Sequence, residues 1–134
     1  MLELANVCPL CIANKMKEWT VMKECIFCTL PGTKIFLENE LALAFFDKYP
    51  VSEGHVLIVT KRHISNIFEA TAEEMASIGN LLQRVKAELD EKYHPDGYNV
   101  GANTGPASGQ TIFHLHVHVI PRYQGDAGTV RWHT

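Results

Sequence analysis

Apolar and polar positions alternate along Phe113-His114-Leu115-His116-Val117-His118-Val119. A period of two is the mark of a strand, with successive side chains on opposite faces. His114, His116 and His118 share one face. Phe113, Leu115, Val117 and Val119 share the other and are expected to pack beneath a helix, with Pro121 stopping the strand. Residues 33–40 and 41–50 read as two further strands joined by a polar Glu38-Asn39-Glu40 turn. Residues 54–63 are mostly continuous apolar positions and predict a central strand. Residues 98–103 predict another, and residues 104–110 form a Gly-rich loop. The period changes to that of a helix over residues 71–93. There Thr71 and Glu74 make a capping box, and Met75, Ile78, Leu82, Val85 and Leu89 form an apolar stripe read as core. Pro95-Asp96-Gly97 ends that helix in a turn. The sum is an α+β domain, a five-stranded antiparallel sheet with one long helix packed on it. Residues 1–21 read as an extension and 22–134 as the compact domain, with Met22 a candidate internal start.

Composition narrows the function classes. A chain of 134 residues, 46% of them hydrophobic, can bury one core. The net charge of −3 gives no general reason to bind nucleic acid or an acidic membrane. A small anion remains an acceptable ligand, because it needs local donors only. No apolar run approaches the roughly 20 residues of a membrane span, and the N-terminal segment is a poor signal peptide. The expected location is therefore the cytoplasm. The four cysteines form two C-x-x-C pairs, Cys8/Cys11 and Cys25/Cys28. In a reducing compartment such pairs point to metal or redox chemistry more than to disulfides.

Three imidazoles on one face are a poor choice for generic solubility, and three functional readings stay open. Same-face strand residues lie about 6.5–7 Å apart, so one ion is not expected to collect all three, although two neighbours could chelate with ligands from elsewhere. A neutral imidazole also makes a good nucleophile toward phosphorus when a partner holds its other nitrogen's proton. The Gly-rich loop suits that chemistry, since backbone N–H groups can approach phosphate oxygens there and Gln110 and Thr111 add side-chain donors. The third reading is a non-catalytic nucleotide-binding or scaffolding pocket. His55 reads as a strand residue beneath the site and His94 as an exposed turn residue.

The pattern His-φ-His-φ-His-φ-φ, with φ apolar, resembles the histidine triad (HIT) superfamily. The resemblance runs over residues 24–125 as four ordered motifs: "CIFC", "LALAFFDKYPVSEGHVLIVTKRHI", "GYNVGANTGPASGQT" and "FHLHVHVIPRYQGD". It implies that His116 is the nucleophile on an α-phosphate, forming a nucleotidyl-histidine intermediate that water hydrolyses. It implies that His118 contacts the phosphate and that Gln110, Thr111 and Gly109 hold its oxygens. Asp47 matches the ribose-binding position, Asn103 a second polar contact, and Ile26, Phe27 and Phe45 the walls around the base. For each of these three a plain core role is an equal alternative. Cys25, Cys28, His63 and His114 resemble the ligands of zinc-bearing members, a closed structural Zn2+ site. A four-cysteine knuckle of Cys8, Cys11, Cys25 and Cys28 is the competing arrangement. "HVIPRYQGD" resembles the branch that hydrolyses dinucleoside polyphosphates, whereas Asp47 leans toward the purine nucleoside phosphoramidase branch. The family also implies a homodimer joining two sheets into one of ten strands.

Overall fold

The computed structural model describes Phe27 and residues 35–126. Five strands, β1 (Leu37–Glu38), β2 (Ala42–Phe46), β3 (Val56–Thr60), β4 (Gly97–Gly101) and β5 (His116–Arg122), form one sheet in the order β1-β2-β3-β5-β4. Every neighbouring pair is antiparallel. The helix α1 (Ala72–Tyr93) crosses one face, as the sequence predicts. Its capping box is present: Glu74 N–H donates to Thr71 Oγ1 at 3.1 Å, and Thr71 N–H to Glu74 Oε1 at 2.9 Å. At the other end His94 takes the left-handed conformation, φ 53°, and its N–H donates to Asp90 O.

The sheet has a dry core on each face. Under α1 lie Ala42 and Ala44 of β2, Val56 and Ile58 of β3, and Leu115, Val117 and Val119. The two alanines are fully buried, and their small size lets the helix approach β2. On the opposite face Phe45, Leu57 and Val59 cluster with Phe27. β3 is buried along its whole length, as a central strand must be.

Three details differ from the sequence reading. The helix stripe is displaced: Ile78, Leu81, Val85 and Leu89 are buried, whereas Met75 is 44% exposed and Leu82 is only partly buried. Glu74, not Met75, turns inward at the first turn, because its carboxylate is held by Arg62 as well as by the cap. Regular pairing in β5 starts at His116, and Phe113 is 44% exposed instead of lying under the helix. Pro121 does not stop β5. It pairs with Tyr98 of β4, while the β3 ladder has already ended at Val56↔Val119. The carbonyl of Pro121 accepts from Ser52 on that open side, so its missing N–H costs the sheet no ladder bond. Among the described residues no helix is long and apolar enough to cross a membrane.

Candidate active site

The site is built from the face of the sheet away from α1. Val59 stands opposite His116 and Leu57 opposite His118, so β3 sets the height of both imidazoles. Two residues before Leu57 on the same face comes His55. Gly54 feeds it into place: its φ is +91°, and a Cβ there would meet the Tyr93 ring at 3.0 Å and Pro121 at 3.2 Å. Both facts demand glycine.

Each histidine is oriented by a neighbour whose donor or acceptor character is fixed. His116 Nδ1 lies 2.7 Å from His114 O. A carbonyl only accepts, so Nδ1 carries the proton and the neutral ring has its lone pair on Nε2. His114 Nε2 lies 2.7 Å from Thr60 O, which puts that ring's lone pair on Nδ1. His55 Nδ1 accepts from Val51 N–H at 3.0 Å, and its Nε2 lies 2.9 Å from His118 Nδ1. Burial pushes the His55 pKa below its ordinary value; the Asp47 carboxylate opposes this and Arg122 reinforces it. The His116 and His118 ring centres are 5.3 Å apart.

The nucleoside-side residues fall into two groups. Phe27 and Phe45 are buried with ring centres 5.6 Å apart, and Phe27 also packs edge-on to His116 at 5.0 Å. The expected third wall, Ile26, lies outside the described residues. Asp47 follows β2 directly; its Oδ1 accepts from Tyr49 N–H at 2.9 Å and its Oδ2 stands 3.5 Å from His55 Nε2.

The Gly-rich loop carries the short 3-10 turn Pro106–Ser108 between two positive-φ glycines, Gly105 and Gly109. Asn103 stands beside Gly109, whose added Cβ would lie 3.6 Å from the Asn103 amide nitrogen. Thr111 is exposed. Gln110 is buried, and its side chain is spent on backbone. Its Oε1 accepts from Gly105 N–H at 2.7 Å, and its Nε2 donates to Ser65 O at 2.8 Å and Ile112 O at 3.0 Å. In this conformation Gln110 braces the loop from within.

Two metal arrangements can be compared. His63 and His114 face each other edge-on, ring centres 4.8 Å apart. Two imidazoles on one tetrahedral ion have centres about 5 Å apart, and His114 Nδ1 is the nitrogen available as a ligand once Nε2 binds Thr60 O. Those two residues fit zinc; Cys25 and Cys28, like Cys8 and Cys11, lie outside the described residues. Asp47, His55 and His118 also gather their ligand atoms within 4.8 Å. Their chemistry argues against an ion. The Val51 N–H holds the His55 lone pair on Nδ1, so Nε2 points a proton, not a lone pair, into the gap. The 2.9 Å separation from His118 is that of a hydrogen bond and shorter than the roughly 3.3 Å between two ligands of a tetrahedral ion.

His55 is the site residue that the sequence reading undervalued. The signal was present: a Gly-His step opening an apolar strand, with His55, Leu57 and Val59 on one face. It becomes informative only when that face is paired with the triad strand.

The HIT domain family matches residues 31–125, and the chain belongs to it. It is 36% identical to the protein hit of Bacillus subtilis over 118 residues, covering 84% of this chain and 81% of that one. It is 30% identical over 105 residues to the asymmetrical bis(5'-nucleosyl)-tetraphosphatase of Schizosaccharomyces pombe, 78% of this chain and 58% of that one. The crystal structure of a Zn-bound histidine triad family protein from Mycobacterium smegmatis superposes with a TM-score of 0.71 at 33% identity, covering 81% of this chain and 82% of that one. The family thus includes a hydrolase acting on a dinucleotide and a member that binds zinc.

Proposed function

We propose that this protein is a nucleotide hydrolase that attacks the α-phosphate of dinucleoside polyphosphates, diadenosine polyphosphates in particular. The observation that carries the reading is the His116 Nδ1 bond to His114 O, which puts the nucleophilic lone pair on Nε2. The P–O bond to the leaving phosphate breaks as the Nε2–P bond forms. Water then displaces His116 from phosphorus and releases a nucleoside monophosphate. His118 steadies the phosphate oxygens, with Thr111 and the Gly109 backbone in the Gly-rich loop, whose shape Gln110 maintains. Asp47 and Asn103 hold the ribose side and Ile26, Phe27 and Phe45 the base. Purine nucleoside phosphoramidase is the second reading, favoured by the carboxylate at Asp47.

Zinc held by Cys25, Cys28, His63 and His114 supplies structural bracing with a closed ligand set. His63 follows β3 and His114 precedes β5, so the ion ties both to the N-terminal segment. A homodimer is part of the proposal: β4 is an edge strand in the sheet order, and Val100 on it is 47% exposed.

The test is chromatographic product analysis. Wild type and His116→Ala are each incubated with diadenosine polyphosphates and with adenosine phosphoramidate. AMP release by wild type, reduced about a thousandfold or more in His116→Ala, is expected, fastest from the polyphosphates. Faster release from the phosphoramidate selects the second reading. Turnover that survives in His116→Ala removes the nucleophile assignment.

A further inference from the structure

His55 is 2% exposed, yet nothing about its position in the chain marks it as part of the chemistry. Both of its ring nitrogens are engaged. Val51 N–H donates to Nδ1 at 3.0 Å, and a backbone amide can only donate. Nδ1 therefore carries the lone pair, and the single proton of the neutral ring sits on Nε2. That proton has two neighbours, His118 Nδ1 at 2.9 Å and Asp47 Oδ2 at 3.5 Å. Only the first is at hydrogen-bond distance. His118 Nδ1 must then accept, and a neutral imidazole that accepts at Nδ1 carries its own proton on Nε2. A second proton on His118 Nδ1 would point at the His55 proton across the same 2.9 Å.

We propose that His55 is a positioning residue: held by the Val51 amide, it fixes His118 as the neutral Nε2–H tautomer, so that His118 meets a phosphate oxygen as a hydrogen-bond donor. No proton is transferred in this role and no covalent bond changes. The two neighbouring triad histidines are thus given opposite faces by two backbone groups. The His114 carbonyl makes Nε2 of His116 a lone-pair nitrogen, and the Val51 amide, acting through His55, makes Nε2 of His118 a donor. A nucleophile beside a donor is what in-line attack on a phosphate diester requires. The step to turnover rests on the hydrolase reading above; the tautomer assignment does not.

Long-range 1H–15N correlation spectra of the full chain, labelled in histidine and assigned for His118 by its loss in His118→Gln, read the tautomer directly. Wild-type His118 is expected to be protonated on Nε2 alone at neutral pH. In His55→Leu the donor is lost, and the His118 signals should move to a mixture of the two tautomers. Over the same change kcat on diadenosine polyphosphate should fall about tenfold or more with KM within about twofold. His55→Gln restores a side-chain N–H and should recover both the spectrum and most of kcat. His118 protonated on Nδ1 in wild type overturns the proposal without recourse to any variant, as does an unchanged His118 spectrum in a folded His55→Leu. A wild-type spectrum of the Nε2–H form from a protein that turns over none of these substrates would sink the hydrolase reading and leave the tautomer assignment standing.

Discussion

Glu74 does three things with one carboxylate. Its Oε2 accepts from Arg62 Nε at 2.8 Å, and its Oε1 accepts from Arg62 Nη2 at 2.8 Å and from Thr71 N–H at 2.9 Å. The start of α1 is thereby locked to the segment leaving β3, one residue before His63. The fork is bidentate, and Glu74 is almost fully buried while Arg62 is a third exposed. Replacing Arg62 by Met should cost on the order of 2–3 kcal/mol, below the range for a fully buried pair because of that exposure. The loss should depend on pH. The Arg62 hydrogen bonds hold the Glu74 pKa below 4.5, against the opposing effect of burial. A carboxylate with a lowered folded pKa stabilises the fold fully above its unfolded value and loses that contribution as pH falls through the folded one. Urea midpoints of wild type and Arg62→Met should thus differ most at neutral pH and converge below about pH 4. A gap that stays constant into acid would show that lost packing, not the ion pair, is responsible. At this scale the capping box was legible because its partners are three residues apart. The Arg62 fork was not, since it joins residues from separate elements.

The elements themselves were largely readable, and where the reading slipped the cause is tertiary. Period two identified β5 and its two faces, but not that residues 113–115 precede the regular ladder. The strand's start depends on where β3 ends. The residue before β5 is held by a single backbone bond, Leu115 N–H to Ile64 O at 2.7 Å. In α1 the stripe through Met75 and Leu82 and the one through Leu81 fit a helical period about equally well. Arg62 decides between them by drawing Glu74 inward, which turns Met75 outward. Two substitutions separate the stripes. Leu81→Ala, at a fully buried position, should cost about 2–5 kcal/mol, whereas Met75→Ala should stay within about 0.5 kcal/mol of wild type. Urea unfolding of both variants measures this; equal losses would put the stripe back where the sequence alone placed it.

On the scale of the whole molecule, the sequence carried the triad strand, the loop and Asp47, because each is a local motif. It could not carry the His55–His118 bond or the approach of His63 to His114, which join residues 63 and 51 positions apart and exist only once β3 and β5 are paired. The zinc proposal makes the second of these contacts structural. Cys28→Ser should lower bound zinc, read by metal analysis of the purified chain, and reduce the melting temperature by roughly 10 °C or more. An unchanged zinc content would move the site elsewhere. The remaining question is what covers the outer edge of β4. Its sequence, Gly97-Tyr98-Asn99-Val100-Gly101, has no charged residue to discourage pairing, and β4 bonds to β5 on one side only. The opposite edge, β1, is just two residues long and offers little. A second copy set antiparallel against β4 about a two-fold axis would satisfy the open backbone groups and bury Val100 in a self-complementary interface. Light scattering should then return twice the mass of one chain for wild type. Val100→Glu would place two like charges close to that axis and should shift the protein toward the single-chain mass, leaving His116-dependent chemistry intact if each site is complete within its own chain. A wild-type protein of single-chain mass would mean that β4 is a true free edge, and that the ten-stranded sheet does not form.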